Sequence, residues 1–278
     1  MTAWLAQGLR HWLLAVQFFT RIPITGALAA WVGFSPEMLR ASVAHFPAMG
    51  LVVGSVAVAV AGACMALLPD TAHTPLVAAA LSTVATVMLT GGFHEDGLAD
   101  VADGLGGSHL RERALEIMKD SRVGAYGAMA LALVLLTKVA LLAALLGLDP
   151  SAALALMVLA HVSSRTWPML TIARLPHVGD AAGSKSKPLA DQVSSQALLT
   201  GFLWCFMAFA LAVYGLSATY ILPIAGGMMG GLLAWLYTTR LLNQRLGGFT
   251  GDGLGATQQL CEVAFLLGAL AAWNQPLP

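Results

Sequence analysis

The sequence predicts an all-α polytopic membrane protein with about seven transmembrane helices. Hydrophobic residues make up 58% of the 278-residue chain and charged residues only 10%, whereas a typical soluble domain has roughly 25% charged residues. Several uncharged apolar runs approach the ~20 residues that a helix needs to cross a bilayer. These runs lack the alternation of barrel strands, and a backbone in lipid must satisfy its own hydrogen bonds, so a helical bundle is expected.

The segment before the first span is predicted to be an amphipathic helix that lies in the membrane interface. Apolar residues recur at helical spacing from Leu5 to Phe19, and polar residues such as Arg10 and Gln17 lie opposite them. The alternative is an N-terminus without stable structure. The seven spans that follow are expected at 46–68, 75–93, 125–147, 151–173, 197–216, 219–239 and 256–273.

The distribution of Lys and Arg predicts the orientation of the chain. Twelve of the fourteen Lys and Arg residues lie outside the predicted spans, and with seven spans all twelve fall on one side. The positive-inside rule makes that side cytoplasmic. We therefore expect a cytoplasmic N-terminus, a cytoplasmic loop at 94–124, and a single integral-membrane domain over residues 1–278.

Charge and cysteine content exclude two other classes of protein. The net charge is zero, so no basic surface indicates binding to nucleic acid. The three cysteines, Cys64, Cys205 and Cys261, lie in apolar runs without paired spacing. They are expected to be small core residues rather than a disulfide framework or a zinc site.

The stretch HEDGLADVADG, residues 94–104, concentrates charge in a chain that has little of it. Seven of the fourteen Asp and Glu residues lie between Glu95 and Asp120. In a helix, Asp96, Asp100 and Asp103 would share one face, where each pair of unpaired carboxylates costs about 0.2–0.5 kcal/mol. Such oxygen ligands suit magnesium or manganese, so this face predicts a divalent-metal site. The alternative is a solvated loop whose charges maintain solubility.

Basic residues follow the acidic stretch, in IMKDSRVGAYG at 117–127. Arg122 can grip phosphate oxygens in a bidentate way, and Lys119 can contact them as a point charge. Carboxylate-bound metal next to basic side chains is typical of phosphoryl transfer. The general base is left open among His94, Asp103 and Asp120. His94 could instead ligate metal or serve only as a hydrogen-bond partner.

Ionisable residues inside or beside the spans are further candidates. Arg165, in the fourth span, could meet an anionic substrate, pair with an aspartate or snorkel to the interface. Lys138 in the third span is expected to pair with Glu262 in the seventh. Asp252 lies between glycines just before the seventh span, and either joins the metal or phosphate site or forms a Gly-rich turn. The loop at 174–196 either closes over a substrate or only links two spans.

Five motifs are spread over nearly the whole chain: QFFTRIP at 17–23, GGFHEDGLADVADG at 91–104, IMKDSRVGAYG at 117–127, SRTWP at 164–168 and TGDGLGA at 250–256. Their order and spacing resemble the cobalamin synthase family. The stretch at 91–104 is the most specific of them, and Glu95 within it stands at a position we take to be variable, so it is the weaker ligand candidate.

The resemblance implies a magnesium-dependent enzyme of the bacterial cytoplasmic membrane, with its active site facing the cytoplasm. It would join adenosylcobinamide-GDP to α-ribazole or α-ribazole 5′-phosphate. A ribazole hydroxyl would attack the corrinoid-linked phosphorus and GMP would leave. The oligomeric state is left open, a homo-oligomer included. The assigned residues are Asp96, Asp100 and Asp103 for the metal; Lys119, Arg122, Asp120 and His94 for catalysis; and Arg165, Asp252, Gly124 and Arg21 for substrate binding.

Two rival functions fit the sequence less well. CDP-alcohol phosphotransferases have a basic residue soon after the second aspartate and a further aspartate four positions after the third. Here Val101 and Ala102 follow Asp100, and Gly107 stands four positions after Asp103. A cation or proton-coupled transporter would concentrate polar residues near the midplane, often in two related halves, whereas these acids cluster at one surface.

Overall fold

The computed structural model describes residues 3–179 and 193–274, and each regular element in these ranges is a helix. Much of the predicted loop at 174–196, including Lys185 and Lys187, lies outside the described residues. Short 3₁₀ turns occupy Val43–His45 and Ala218–Tyr220. The α-helices are α1 Ala3–Phe19, α2 Gly26–Val32, α3 Pro36–Ser42, α4 Phe46–Leu67, α5 Thr74–Thr90, α6 Phe93–Gly107, α7 Arg111–Ile117, α8 Ala125–Leu148, α9 Pro150–Arg174, α10 Ser195–Gly215, α11 Ile221–Leu246 and α12 Gly251–Ala271.

The all-α polytopic membrane fold is confirmed, but the number of spans differs from the expected seven. Within the described ranges, five helical stretches are long and apolar enough to cross a membrane. The helices α5 and α6 pass the same test only as a pair, which is bent by 89°, and this pair would make a sixth span. The five stretches are Pro36–Leu67, Ala125–Leu148, Ser195–Gly215, Ala218–Leu246 and Gly251–Ala271.

Helix α9 coincides with the predicted fourth span but is not among these five, because its second half is polar. It lies at the centre of the bundle and packs against α4, α8, α10, α11 and α12. Its polar side chains, among them Ser163, Ser164 and Arg165, are buried inside the protein. A helix enclosed by other helices does not need a lipid-facing apolar surface, so hydropathy alone misjudges its place.

Helix α6 lies at one end of the bundle, where it contacts the starts of α8 and α12 and the end of α11. It follows a sharp turn at Gly91 and Gly92, whose positive φ angles of 69° and 71° are readily adopted only by glycine. The side chain of Arg21 packs directly over Gly91, where a Cβ atom would collide with the guanidinium group. The turn sends α6 away from α5 at 89°, so the acidic stretch forms a cap on the bundle.

Contacts between distant segments identify the two ends of the bundle. At the end capped by α6, Arg111 Nε donates to the carbonyl oxygen of Leu246 at 2.6 Å, which ties α7 to the end of α11. Arg245 donates to carbonyl groups around the end of α6 at 3.0 and 2.8 Å. At the opposite end, the Tyr220 hydroxyl donates to the Asp149 carboxylate, which joins the α8–α9 and α10–α11 connections.

The predicted N-terminal helix is present as α1. Leu14, Val16 and Phe19 are buried against the core, whereas Trp4 and Leu5 are 80% and 49% exposed. Leu5 and Leu9, which belong to the predicted apolar face, are 49% and 41% exposed, so the buried part of that face is confined to the C-terminal half of α1. The position of α1 in the membrane interface stays a prediction.

Small residues behave as their sequence context indicates. The glycine-rich start of α11 packs tightly on α12, since Cβ atoms at Gly226 and Gly230 would collide with carbonyl groups of α12. The cysteines Cys64, Cys205 and Cys261 are free thiols.

Candidate active site

Helices α6 and α12 cross in close contact, and this crossing builds the candidate site. A Cβ atom on Gly97 of α6 would come within 2.8 Å of the Asp252 carbonyl oxygen. A Cβ atom on Gly255 of α12 would come within 3.3 Å of backbone atoms of His94. Glycine at both positions lets the two backbones touch. Asp252, in the first turn of α12, is thereby brought beside the acidic face of α6.

Three carboxylates, Asp96, Asp100 and Asp252, form what we call the carboxylate cluster. Burial, and then repulsion from Asp252, Asp96 and Asp103, raises the pKa of Asp100 to about 7. A carboxyl group among like charges holds its proton more tightly, because ionisation would add to the repulsion. The cluster therefore has the electrostatic character of a cation site, and Asp252 contributes to it more strongly than either Asp96 or Asp103.

The donor chemistry of the carboxylate cluster fits Mg²⁺. Carboxylate oxygens are the ligands that this hard cation prefers. Among residues 3–179 and 193–274, no three His, Cys, Asp or Glu side chains stand in an arrangement ready to hold a metal ion. Mg²⁺ commonly keeps several waters and binds through one or two carboxylates plus substrate phosphates, so a complete protein cage is not required.

Asp103, predicted to be a metal ligand, has protein partners for both of its oxygens. The Gly124 N–H donates to Oδ2 at 2.7 Å, and the Gly127 N–H donates to Oδ1 at 2.8 Å. The carboxylate is buried and fastens the start of α8 to α6. Its contact with metal stays a prediction, as does substrate binding by Gly124, whose N–H is engaged here.

The other basic and acidic candidates lie in the connection from α7 to α8. Arg122 is 86% exposed and pairs with Asp120 through an Nη2–Oδ2 contact of 2.5 Å. Hydrogen bonds from Arg122 lower the pKa of Asp120 to about 2, which makes this carboxylate a weak proton acceptor. Lys119 is exposed one position before Asp120.

A polar cleft of about 600 Å³ opens beside the carboxylate cluster. We use this name for the space lined by Arg21, Glu95, Asp96 and the Gly91–Gly92 turn, among others. The backbone N–H of Arg21 donates to the carbonyl oxygen of Leu89 at 2.6 Å, which holds the backbone of Arg21 against the end of α5. A guanidinium and a carboxylate lining one cleft can bind a phosphate group and its metal together.

Buried basic side chains surround the Glu262 carboxylate. Lys138 Nζ lies 2.5 Å from Oε1, which confirms the predicted ion pair. His161 Nδ1 and Arg165 Nη1 lie 3.2 and 3.9 Å from Oε2, and Gln258 Nε2 donates to Oε2 at 2.6 Å. Arg165 is only 5% exposed, so it does not snorkel to the interface. Its acidic partner is Glu262 rather than an aspartate of α6.

Sequence reasoning missed the two glutamines of ATQQLCE. Gln259 Nε2 donates to Glu95 Oε1 and to Gln258 Oε1, at 3.0 Å each. The pair links the α6 cap to Glu262 deep in the bundle. Two adjacent glutamines in an otherwise apolar helix were the available signal for a buried hydrogen-bond network, because buried side-chain amides need hydrogen-bond partners. Glu95 therefore belongs to this hydrogen-bond network and also lines the polar cleft.

His94 is buried at the crossing of α6 and α12. Burial is the main cause that lowers its pKa well below the usual 6.5, with repulsion from Arg165 next. The ring is consequently neutral at physiological pH, and the burial that opposes its protonation makes it a weak proton acceptor.

Comparison with known proteins places the chain in a family. Residues 11–270 match the family model described as cobalamin-5-phosphate synthase. The chain belongs to this family. Proteins named adenosylcobinamide-GDP ribazoletransferase from Albidiferax ferrireducens and Polaromonas naphthalenivorans are 59% and 60% identical to it. These matches cover 95% and 94% of this chain and 98% of each relative. No solved structure gives a significant match.

Membership of the cobalamin-5-phosphate synthase family confirms the resemblance seen in the motifs and makes the chain a transferase of cobalamin biosynthesis. It excludes the transporter alternative. In this family member, Asp100 interacts electrostatically with Asp96 and Asp252, and Asp96 lines the polar cleft together with Arg21. Arg165 and His94 line a separate cavity.

Proposed function

We propose that this transferase joins adenosylcobinamide-GDP to α-ribazole or α-ribazole 5′-phosphate, releases GMP and requires Mg²⁺. The names of the relatives support the substrates. The observation that carries the metal and phosphate chemistry is the convergence of Asp96, Asp100 and Asp252 beside the polar cleft. A site with three carboxylates and an arginine is suited to a metal-bound diphosphate.

The reaction exchanges one phosphorus–oxygen bond for another. A ribazole hydroxyl oxygen bonds to the corrinoid-linked phosphorus while the bond from that phosphorus to the bridging oxygen of the diphosphate breaks. The bridging oxygen leaves on GMP, and the hydroxyl proton passes to a base. His94 and Asp120 are both weak proton acceptors in this structure, because burial lowers the pKa of His94 and the hydrogen bonds of Arg122 lower that of Asp120. The base is left open among these two residues and Asp103.

The residues of the cleft would position the diphosphate for this exchange. One or two of Asp96, Asp100 and Asp252 would hold Mg²⁺, which would neutralise phosphate charge. Arg21, which lines the same cleft as Asp96, would contact phosphate oxygens. Lys119 and Arg122, both exposed, can reach the departing GMP from the α7–α8 connection. For Arg122 this requires exchanging Asp120 for phosphate, which a surface ion pair permits at little cost.

Turnover by the purified protein tests the proposal. In lipid nanodiscs with both substrates and Mg²⁺, corrinoid product and GMP should form in equal amounts, and a chelator should stop both. Asp100→Asn should lower kcat by about 100-fold or more, because it removes one charge from the carboxylate cluster. Glu112→Gln, which removes an exposed acid from α7, is the matched control and should retain activity. No turnover by well-folded wild-type protein would rule out the proposed reaction.

We also propose that the α6 end of the bundle faces the cytoplasm of a bacterial cell. The basic residues outside the spans support this orientation. In a variant without native cysteines, His109→Cys at the α6 end should resist an impermeant maleimide in intact spheroplasts. Asp70→Cys at the opposite end should react. The reverse labelling pattern would show that the orientation is inverted.

A further inference from the structure

The motif QFFTRIP, residues 17–23, forms part of the wall of the polar cleft. Four of its residues line the cleft: Gln17, Phe18, Thr20 and Arg21. Gln17 and Arg21 are exposed, so the amide and the guanidinium are accessible to a molecule in the cleft. The cleft volume of about 600 Å³ falls within the roughly 300–1,000 Å³ of pockets that hold small ligands. The cleft therefore has room for more than the diphosphate of the proposed substrate.

An apolar patch lies on the wall of the same cleft. Phe18 and Phe93 line it and meet edge to face, with ring centroids 5.7 Å apart. Val123, just before α8, and Leu131 within α8 also line the cleft. Phe93 and Val123 are 40% and 57% exposed. Apolar side chains that stay exposed next to polar groups suit a flat aromatic base, which packs through its face and hydrogen-bonds through its edge.

Charged groups connect the cleft to the candidate metal site. Asp96 lines the cleft and belongs to the carboxylate cluster, and Arg21 lines the cleft as well. Arg122 directly precedes Val123 in the chain and is 86% exposed. A nucleotide with its base on the apolar patch can therefore have its phosphate contacted by arginine and by a metal ion at the carboxylate cluster.

The geometry of phosphoryl transfer indicates which of the two nucleosides suits this cleft. The attacking and leaving oxygens lie roughly in line on opposite sides of the phosphorus, so a single cleft beside the carboxylate cluster holds one of them. The departing GMP gains negative charge as its bond to phosphorus breaks, and Arg21 and Arg122 are suited to stabilise that charge. The attacking ribazole hydroxyl brings no such charge. The basic side chains thus favour GMP.

We infer that the polar cleft binds the guanosine part of adenosylcobinamide-GDP and that Gln17 recognises the edge of the guanine, which rests on the proposed function. Guanine presents the acceptor O6 next to the donor N1–H, and the glutamine amide offers a donor and an acceptor in complementary order. Phe18 and Phe93 pack against the base. The base of α-ribazole matches Gln17 less well, because its free edge has one acceptor nitrogen and no donor.

Binding of GMP to the purified protein tests the assignment. Wild type and Gln17→Leu, in lipid nanodiscs with Mg²⁺, are titrated by calorimetry with GMP and with O6-methyl-GMP, which lacks the N1–H. Wild type should bind O6-methyl-GMP about 10-fold more weakly than GMP. Gln17→Leu should bind GMP about 10-fold more weakly than wild type does, and should no longer distinguish the two nucleotides.

A matched control separates recognition from folding. Because Gln17 is exposed, the melting temperature of Gln17→Leu should equal that of wild type. Gln244→Leu replaces another exposed glutamine, near the end of α11 and outside the residues that line the cleft. This control should bind GMP as wild type does.

Steady-state kinetics distinguishes the guanosine site from a ribazole site. Gln17→Leu should raise KM for adenosylcobinamide-GDP about 10-fold and leave KM for α-ribazole unchanged. The reverse pattern would assign the cleft to ribazole and overturn the inference. So would equal GMP affinity in wild type and Gln17→Leu, or no binding of GMP by wild type. Gln17-dependent binding of GMP without turnover would instead remove the proposed reaction and retain the guanosine site.

Discussion

At the scale of single residues, two aspartates differ from the roles that spacing gave them. Helical periodicity places Asp103 on the face of Asp96 and Asp100. The folded chain directs the Asp103 carboxylate to the N–H groups of Gly124 and Gly127 instead. Asp252, distant in sequence, supplies the strongest repulsion on Asp100. Asp103 therefore stabilises the start of α8 in this structure, and Asp252 belongs with the candidate metal ligands.

Replacing these two aspartates should produce different defects. Asp103→Ala leaves two backbone N–H groups without their acceptor and should lower the free energy of unfolding by about 1–3 kcal/mol. Asp252→Asn should keep the melting temperature but raise the Mg²⁺ concentration needed for half-maximal turnover about 10-fold or more. Thermal melting and Mg²⁺ titration of both variants measure the two effects. If the Asp103→Ala protein is as stable as wild type and only its Mg²⁺ requirement increases, Asp103 is a metal ligand and not a structural contact.

At the scale of elements, glycines set the distance between α6 and α12. Gly97 faces the backbone of Asp252, and Gly255 faces the backbone of His94. Both contacts involve backbone atoms, which cannot rotate away as a side-chain tip can. The position of Asp252 beside α6 thus depends on residues that carry no chemistry of their own.

Gly97→Ala should separate the two helices and disturb the carboxylate cluster. The added Cβ atom would lie 2.8 Å from the Asp252 carbonyl oxygen, closer than real Cβ contacts allow. We expect turnover to fall at least about 10-fold and stability to fall by about 1–3 kcal/mol. Gly8→Ala in α1 meets no atom within 4 Å and is the control, which should be neutral or slightly stabilising. Wild-type kinetics in Gly97→Ala would show that the crossing is not close in the working enzyme.

At the scale of the whole molecule, a buried charge network joins α8, α9 and α12. Lys138, His161 and Arg165 surround Glu262, and all four residues are at most 5% exposed. Gln258 and Gln259 extend the network to Glu95 on the α6 cap. The charged centre of the bundle and the candidate site are consequently parts of one connected structure.

Removing one member of the central ion pair should destabilise the protein more than removing both. Lys138→Met leaves Glu262 with less compensation and should lower the free energy of unfolding by about 3–5 kcal/mol. Adding Glu262→Gln should recover part of that loss, although Arg165 then loses its acidic partner. Unfolding of the single and double variants in lipid forms a double-mutant cycle that measures the coupling. Strict additivity would mean that the 2.5 Å contact contributes no coupling energy.

The sequence by itself determined the helical membrane class and the N-terminal helix, because these follow from composition and local periodicity. It also determined the Lys138–Glu262 pair and the acidic stretch of the candidate site, because charge is scarce in apolar helices. The five motifs indicated the family by resemblance. Only the tertiary structure decided that polar α9 lies enclosed at the centre, that Asp103 binds the start of α8, and that Asp252 joins Asp100 across more than 150 residues. These outcomes depend on which backbones can touch, and local periodicity contains no information about contacts between distant segments.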